Sequence, residues 1–254
     1  MSSISGISNF NTSYYSNISS GKRIASAADG AAELAIIEGQ TAQINGYAKA
    51  NDSMKTGKDV LNIVDSALDS ITENLHRMRE LAIQASNGIL TQNDKQNIQY
   101  EIDQIKGSIQ GIATNTEFNT KKLLDGSTEN FNIPTNANGR SISISTGNST
   151  LDALGLADFD VTGDFDLQAI DDALSLVNKS RGSIGAQSNA LDYAISYSSV
   201  AIENLTRSKS TLEDLDMPKA ISEKKKEEVL QQYQIFMLKN QQNLQMKSVN
   251  ILLS

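Results

Sequence analysis

LNIVDSALDSITENLHRMRELAIQA, residues 61–85, decides the fold. Its apolar residues fall at Leu61, Val64, Leu68, Ile71, Leu75, Met78, Ala82 and Ala85, in alternating steps of three and four. That is the heptad seam of a helix packed lengthwise on other helices, not merely an amphipathic face. A helix from about Asp52 to Ser86 is predicted, roughly 50 Å long at 1.5 Å per residue. Such a helix needs partners along its whole length.

Downstream, Asn87-Gly88 stops this helix, and Thr91 with Asp94 three residues on offers a reciprocal cap for the next. The second arm carries Ile98, Ile102, Ile105, Ile109 and Ile112. It also holds Gly107 and Gly111, each costing about 1 kcal/mol relative to Ala in a helix, so packing is expected to hold it. Between Glu117 and Asp166 the pattern changes. Asp125-Gly126, Asn138-Gly139 and Gly147-Asn148 are turn signals, and Ser141 to Ser145 alternates, so short β-hairpins are expected. Helical spacing returns at Ile170, Leu174, Val177, Arg181, Ile184, Ser188, Leu191, Ile195, Ser198, Ile202, Leu205, Lys209 and Leu212. The polar members Arg181, Ser188, Ser198 and Lys209 weaken burial but fix register.

Asp216-Met217-Pro218 breaks the chain before a last helix, about Lys219 to Leu253, whose first turn Ser222 is expected to cap. Leu230, Tyr233, Met237, Asn240, Leu244, Lys247 and Ile251 form one stripe on it, and the opening segment carries Ile4, Ile7, Phe10, Tyr14 and Ile18. Both ends thus read as amphipathic helices that pair with each other and with neighbouring copies, Tyr14-Tyr15 serving as aromatic anchors. The fold class is mainly α: long antiparallel helices in a rod with a small β-hairpin region at about 117–165, and terminal helices pairing as a coiled coil. Residues 1–32 and 216–254 are expected to form a terminal helical core domain, and 33–215 the rod.

Composition narrows the function. A net charge of −8 disfavours nucleic acid and anionic membrane surfaces as partners. No run of about 18 apolar residues exists, and Met1 to Tyr15 lacks the basic and apolar regions of a secretory signal. The absence of cysteine removes disulfides, thiol nucleophiles and thiolate metal sites together. The single histidine, His76, follows seam residue Leu75 and reads as a surface residue. Gly21-Lys22 fails the phosphate-loop pattern, with Ser16 five residues before the glycine and Arg23 in place of the hydroxyl. Asp158, Asp160 and Gly163 imitate a calcium loop only in part, since Thr162 and Ala169 stand at ligand positions. The run 222–228 reads as a solvated first turn. No enzyme, cofactor or metal is therefore expected. An intracellular coiled-coil adaptor would fit the seams and the acidity equally well.

Several motifs go further. Ser19-Ser20-Gly21-Lys22-Arg23-Ile24, Ser26-Ala27-Ala28-Asp29-Gly30-Ala31-Ala32 and Gln43-Ile44-Asn45-Gly46 resemble bacterial flagellin. So do Leu75-His76-Arg77-Met78-Arg79-Glu80-Leu81-Ala82, and Asn115-Thr116-Glu117-Phe118-Asn119 followed by Lys122-Leu123-Leu124-Asp125-Gly126. A looser likeness continues through Leu212-Glu213-Asp214-Leu215-Asp216, Val229-Leu230-Gln231-Gln232, Met237-Leu238 and Val249-Asn250-Ile251-Leu252-Leu253, so the resemblance covers essentially the chain.

The resemblance implies a filament subunit for motility, its terminal helices and rod domain self-assembling into a helical homopolymer. It implies export through the flagellar type III apparatus without a cleaved signal, and an extracellular place in the flagellum. An export chaperone and cap or junction proteins are the implied partners. Only 18 residues precede Ser19, fewer than the family usually carries, so the N-terminal helix is expected to be short. That departure, with Lys224-Lys225-Lys226 and the bulky Tyr233-Gln234-Ile235-Phe236, also fits a minor or degenerate flagellin or a hook–filament junction protein. The family's innate-receptor segment places Arg77, Arg79 and Leu81 as receptor or inter-subunit contacts. His76 replaces the usual Gln and Ser108 an often-present Glu, so weakened activation of the vertebrate receptor is expected.

Overall fold

The computed structural model describes residues 15–127 and 130–252. Among the described residues four long helices are present: α1 Ala31–Ala85, α2 Gln92–Asn115, α3 Gln168–Glu213 and α4 Met217–Leu252. Between α2 and α3 lie β1 Glu117–Phe118, β2 Lys121–Lys122, β3 Phe131–Pro134 and β4 Ser141–Ile144, paired as two antiparallel hairpins. The chain forms two compact units: Met1–Gln43 with Glu203–Ser254, and Ile44–Ile202.

In the second unit the seam from Leu61 to Ala85 is wholly buried. Its helix starts earlier than Asp52, at Ala31. Upstream, Gly46, Asn51 and Gly57 dilute the apolar signal, yet each has a structural reason to be there. Asn51 Nδ2 donates to Ser199 Oγ (3.4 Å), and the two glycines make room for a hairpin.

Polar pairs set the register of α1 against α3. Asn51 meets Ser199, Lys58 meets Asp192 (2.6 Å), Asp69 meets Arg181 (2.8 Å) and Arg79 meets Asp171 (2.7 Å). Successive pairs are seven, eleven and ten residues apart on both helices, as antiparallel rods in one fixed register require. Arg181, an anticipated polar seam residue, also reaches Asp65 (3.1 Å), and its guanidinium is held above its ordinary pKa chiefly by that hydrogen bond. Ser198 is fully buried and donates to the Tyr47 carbonyl (3.4 Å).

The turn before α2 is capped as the sequence suggests. Asp94 N donates to Thr91 Oγ1 (3.3 Å), and Thr91 N donates back to Asp94 Oδ2 (2.9 Å). Asp94 is held below its usual pKa first by the hydrogen bond its carboxylate accepts from Thr91 Oγ1 (2.7 Å) and then by the one from Thr91 N. Ile98, Ile102, Ile105 and Ile109 are buried, but the fifth buried position is Ala113, and Ile112 is only partly covered. Over five contacts the 3.6-residue turn drifts off a strict heptad. Gly107 faces open space, so it adds nothing to the packing that the buried isoleucines and Ala113 supply.

Both hairpins pack on this frame. The first turns through Asn119 and Thr120, both at positive φ (47° and 65°), as a two-residue hairpin loop demands. The expected glycine turns at Gly126, Gly139 and Gly147 all adopt positive φ. In the second hairpin Phe131, Ile133, Ile142 and Ile144 turn inward while their neighbours face out. It lies along α1, with Ile133 and Ile144 over Gly57 and the tip residue Ala137 over Gly46. Eleven residues are close to three helical turns, so both glycines share one face.

Residues 150–166 contain no strand, and so depart from the hairpin expectation. This strap buries Leu154, Leu156, Phe159 and Val161, and polar side chains of α2 tie it down. Gln110 Oε1 accepts from Leu151 N (3.1 Å), Gln99 Oε1 from Val161 N (2.8 Å), and Lys106 Nζ donates to the Ala157 carbonyl (2.6 Å). Asp160 accepts from Thr162 N and Oγ1 (both 2.7 Å), which makes it a turn residue.

Candidate assembly surface

The first unit carries the surface of interest. Residues 15–20 are helical, and the Gly21-Lys22-Arg23 stretch that superficially imitates a phosphate loop is a clamp. Gly21, at φ 69°, accepts through its carbonyl from Leu215 N (2.9 Å). Arg23 donates from its backbone N to the Glu213 carbonyl (2.6 Å) and from its guanidinium to the Leu212 carbonyl (2.6 Å). Lys22 Nζ lies 2.5 Å from Glu213 Oε1, and Lys209 Nζ lies 3.4 Å from Oε2. Glu213 is buried, with its carboxylate held below the usual range, first by the hydrogen bond from Lys22. Sequence reasoning marked both motifs but missed their pairing, because nothing in either signals a contact about 190 residues away.

The Ser26-Ala27-Ala28-Asp29-Gly30 motif is likewise a turn. Asp29 Oδ2 accepts from Ser26 N (2.8 Å), Ser26 Oγ (2.9 Å) and Ala25 N (3.1 Å), which holds its pKa down, and α1 begins directly after it. At the other end Asp216 caps α4, its Oδ1 accepting from Lys219 N (3.1 Å). Ser222 therefore lies inside α4 and caps nothing. Pro218 falls in the first turn, where its missing N–H removes no helical bond.

Over α4 the anticipated stripe residues Leu230, Tyr233, Met237 and Leu244 are 42–67% exposed. So are Val229, Ile235, Phe236, Leu238 and Met246, which at 100° per residue lie on the other sides of the helix. The expected single apolar stripe is therefore not what α4 presents: large apolar side chains are exposed on several sides of the helix, with Gln, Asn and Lys residues between them. Burying those side chains from several directions would remove apolar area from water. Ile18 is half-buried. Ile4, Ile7, Phe10 and Tyr14 lie outside the described residues, as does the side chain of Ile251.

In the second unit, Arg77 is half-exposed and already paired, to Glu101 (2.6 Å) and Glu80 (3.2 Å). Arg79 is engaged by Asp171 of α3. Leu81 is 2% exposed within the core, so it supports α1 from inside and offers no contact surface in the folded unit. His76 is exposed. Among the described residues no three His, Asp or Glu side chains are placed to hold a metal, and no helix is long and apolar enough to cross a membrane.

These features have close parallels. Residues 1–129 match the bacterial flagellin N-terminal helical region, and residues 167–252 the bacterial flagellin C-terminal helical region. The chain is similar to the flagellin of Halalkalibacterium halodurans, 36% identical across 85% of this chain and 82% of that one. It is 33% identical to the flagellar filament 33 kDa core protein of Treponema phagedenis, again over 85% and 82%. Among solved structures, Bacillus cereus flagellin superposes with a TM-score of 0.52 at 27% identity, covering 60% of this chain and 89% of that one. With family models matching both helical regions and relatives aligned over most of its length, the chain belongs to the bacterial flagellin family.

Proposed function

We infer that this chain is a structural subunit of a bacterial flagellar filament and serves motility by polymerising with copies of itself. One observation carries the reading: α4 exposes large apolar side chains on several sides, and a packed assembly would bury them from several directions at once. Copies of the same chain are the natural enclosure, because a helical homopolymer presents the same patch from several neighbours at once.

Within that reading, residues 1–32 and 216–254 form the terminal core domain and 33–215 the rod. Ile4, Ile7, Phe10, Tyr14, Ile18, Leu230, Tyr233, Met237, Leu244 and Ile251 supply the assembly contacts. Exposure of the four described members on α4 supports this division of labour. An export chaperone is the fitting partner before assembly, since the same apolar surface must be covered in the cell. Family membership supports export through the flagellar apparatus, and cap or junction proteins as partners at the filament ends. A weakened response from the vertebrate innate receptor is supported by His76 and Ser108, and by Glu101 and Glu80 occupying Arg77.

Electron microscopy of the purified chain after incubation with short filament seeds in precipitating salt tests the reading. Long helical filaments are expected. Persistent monomers, beside a standard flagellin that elongates the same seeds, would overturn autonomous assembly and favour a minor or junctional role.

A further inference from the structure

The basic run Lys224-Lys225-Lys226 was expected to be solvated, and two of its three lysines are. Lys224 is different. Its side chain is 24% exposed, and its ammonium sits 4.0 Å from the centroid of the Tyr15 ring. One turn on, Glu228 Oε1 accepts from the Tyr15 hydroxyl (3.4 Å) and lies 3.6 Å from Lys224 Nζ. Tyr15 is thereby held at two points: a cation on the face of its ring and a carboxylate at its phenol.

Two points on one ring fix more than one does. A cation–π contact is significant within about 6 Å of the centroid. Sliding the N-terminal helical segment by one turn moves Tyr15 about 5.4 Å along α4 and takes it away from both partners. Neither Lys225 nor Lys226 can substitute, because each points about 100° or 200° round the helix from Lys224. The sequence marked Tyr15 as an anchor and the lysines as a charged turn; the fold joins them.

We propose that Lys224 is a positioning residue that, with Glu228, sets the register of the N-terminal helical segment on α4 through Tyr15. The paired termini then enter the filament in one alignment. The proposal rests on the filament reading above and adds the residues that align the helices.

Seeded elongation with the full chain tests it, the critical concentration being read for wild type, Lys224→Met, Lys225→Met, Lys226→Met, Lys224→Arg and Tyr15→Leu. Lys224→Met and Tyr15→Leu are expected to raise the critical concentration about 2- to 10-fold. Lys225→Met and Lys226→Met remove the same charge from the same run and should leave it unchanged, while Lys224→Arg, which keeps a cation over the ring, should restore it. Equal effects from all three methionine variants, or none from Lys224→Met, would overturn the proposal. Failure of the wild type to elongate seeds would instead overturn the filament reading on which it rests.

Discussion

Replacing Gly46 with alanine asks whether the second hairpin is seated on α1 by shape. A Cβ built there falls 2.4 Å from Ala137 Cβ and 2.8 Å from Ala137 Cα, and the latter is backbone that no rotamer change can move aside. Helix propensity alone favours the substitution by about 1 kcal/mol, whereas overpacking of a fitted contact costs about 1–3 kcal/mol. The net expectation is a loss of up to about 2 kcal/mol. Gly107→Ala is the matched control in the same unit: a Cβ there meets nothing within 4 Å, so the propensity gain of about 1 kcal/mol should emerge undiminished. Thermal unfolding of the monomer followed by circular dichroism at 222 nm reads the difference, at about 2–4 °C per kcal/mol for a unit of this size. Adding Ala137→Gly to the Gly46→Ala chain removes the nearer collision and should recover part of the loss. If Gly46→Ala stabilises as much as Gly107→Ala, the hairpin is not held by this contact and the account of Gly46 is wrong.

Leu75→Ala empties a fully buried seam position and should cost about 2–5 kcal/mol in urea unfolding; a loss below 1 kcal/mol would mean the seam is not the core. Thr91→Ala deletes one half of the capping box and should cost about 1 kcal/mol, with faster amide exchange confined to the first turn of α2. Glu213→Gln should weaken the clamp on residues 21–23 by about 1–2 kcal/mol and speed tryptic cleavage after Lys22 and Arg23. Because the folded carboxylate of Glu213 sits below its ordinary pKa, its contribution is present at neutral pH and is lost as acidification passes through that lowered value. Wild-type and Glu213→Gln cleavage rates should therefore converge in acid with an acid-tolerant protease, and rates that stay apart would refute the linkage.

The helices were legible because their signal is local and repeated. Every seam residue from Leu61 to Ala85 is buried, and the Thr91–Asp94 cap forms as its spacing indicates. What escaped was decided at long range. Gly46 and Asn51 are weak helix positions until the hairpin residue Ala137 and Ser199 stand beside them. The early start of α1 was missed for that reason. Leu81 was expected at a contact surface from the resemblance, yet its place three residues from Met78 and next to Ala82 already put it near the buried seam. The apolar residues on the other sides of α4 stand in the sequence too, but Ile235 and Leu238 carried weight there only as parts of motifs, and Met246 lies off the one stripe that 3.6-residue spacing picks out. The clamp between Lys22 and Glu213 lay beyond any pattern, since only the fold brings those motifs together.

The pair of glycines under the hairpin works as a ruler. Gly57 marks where the strands rest on α1 and Gly46 where their tip comes to rest, so helix sequence records hairpin length. Lengthening each strand by two residues would advance the tip about 6.6 Å at 3.3 Å per residue, or between four and five residues of helix at 1.5 Å each. A relative with the longer hairpin should then carry its second small residue that much nearer the start of α1. Grafted hairpins could be matched to a host helix by moving one glycine, with no other change to the seam.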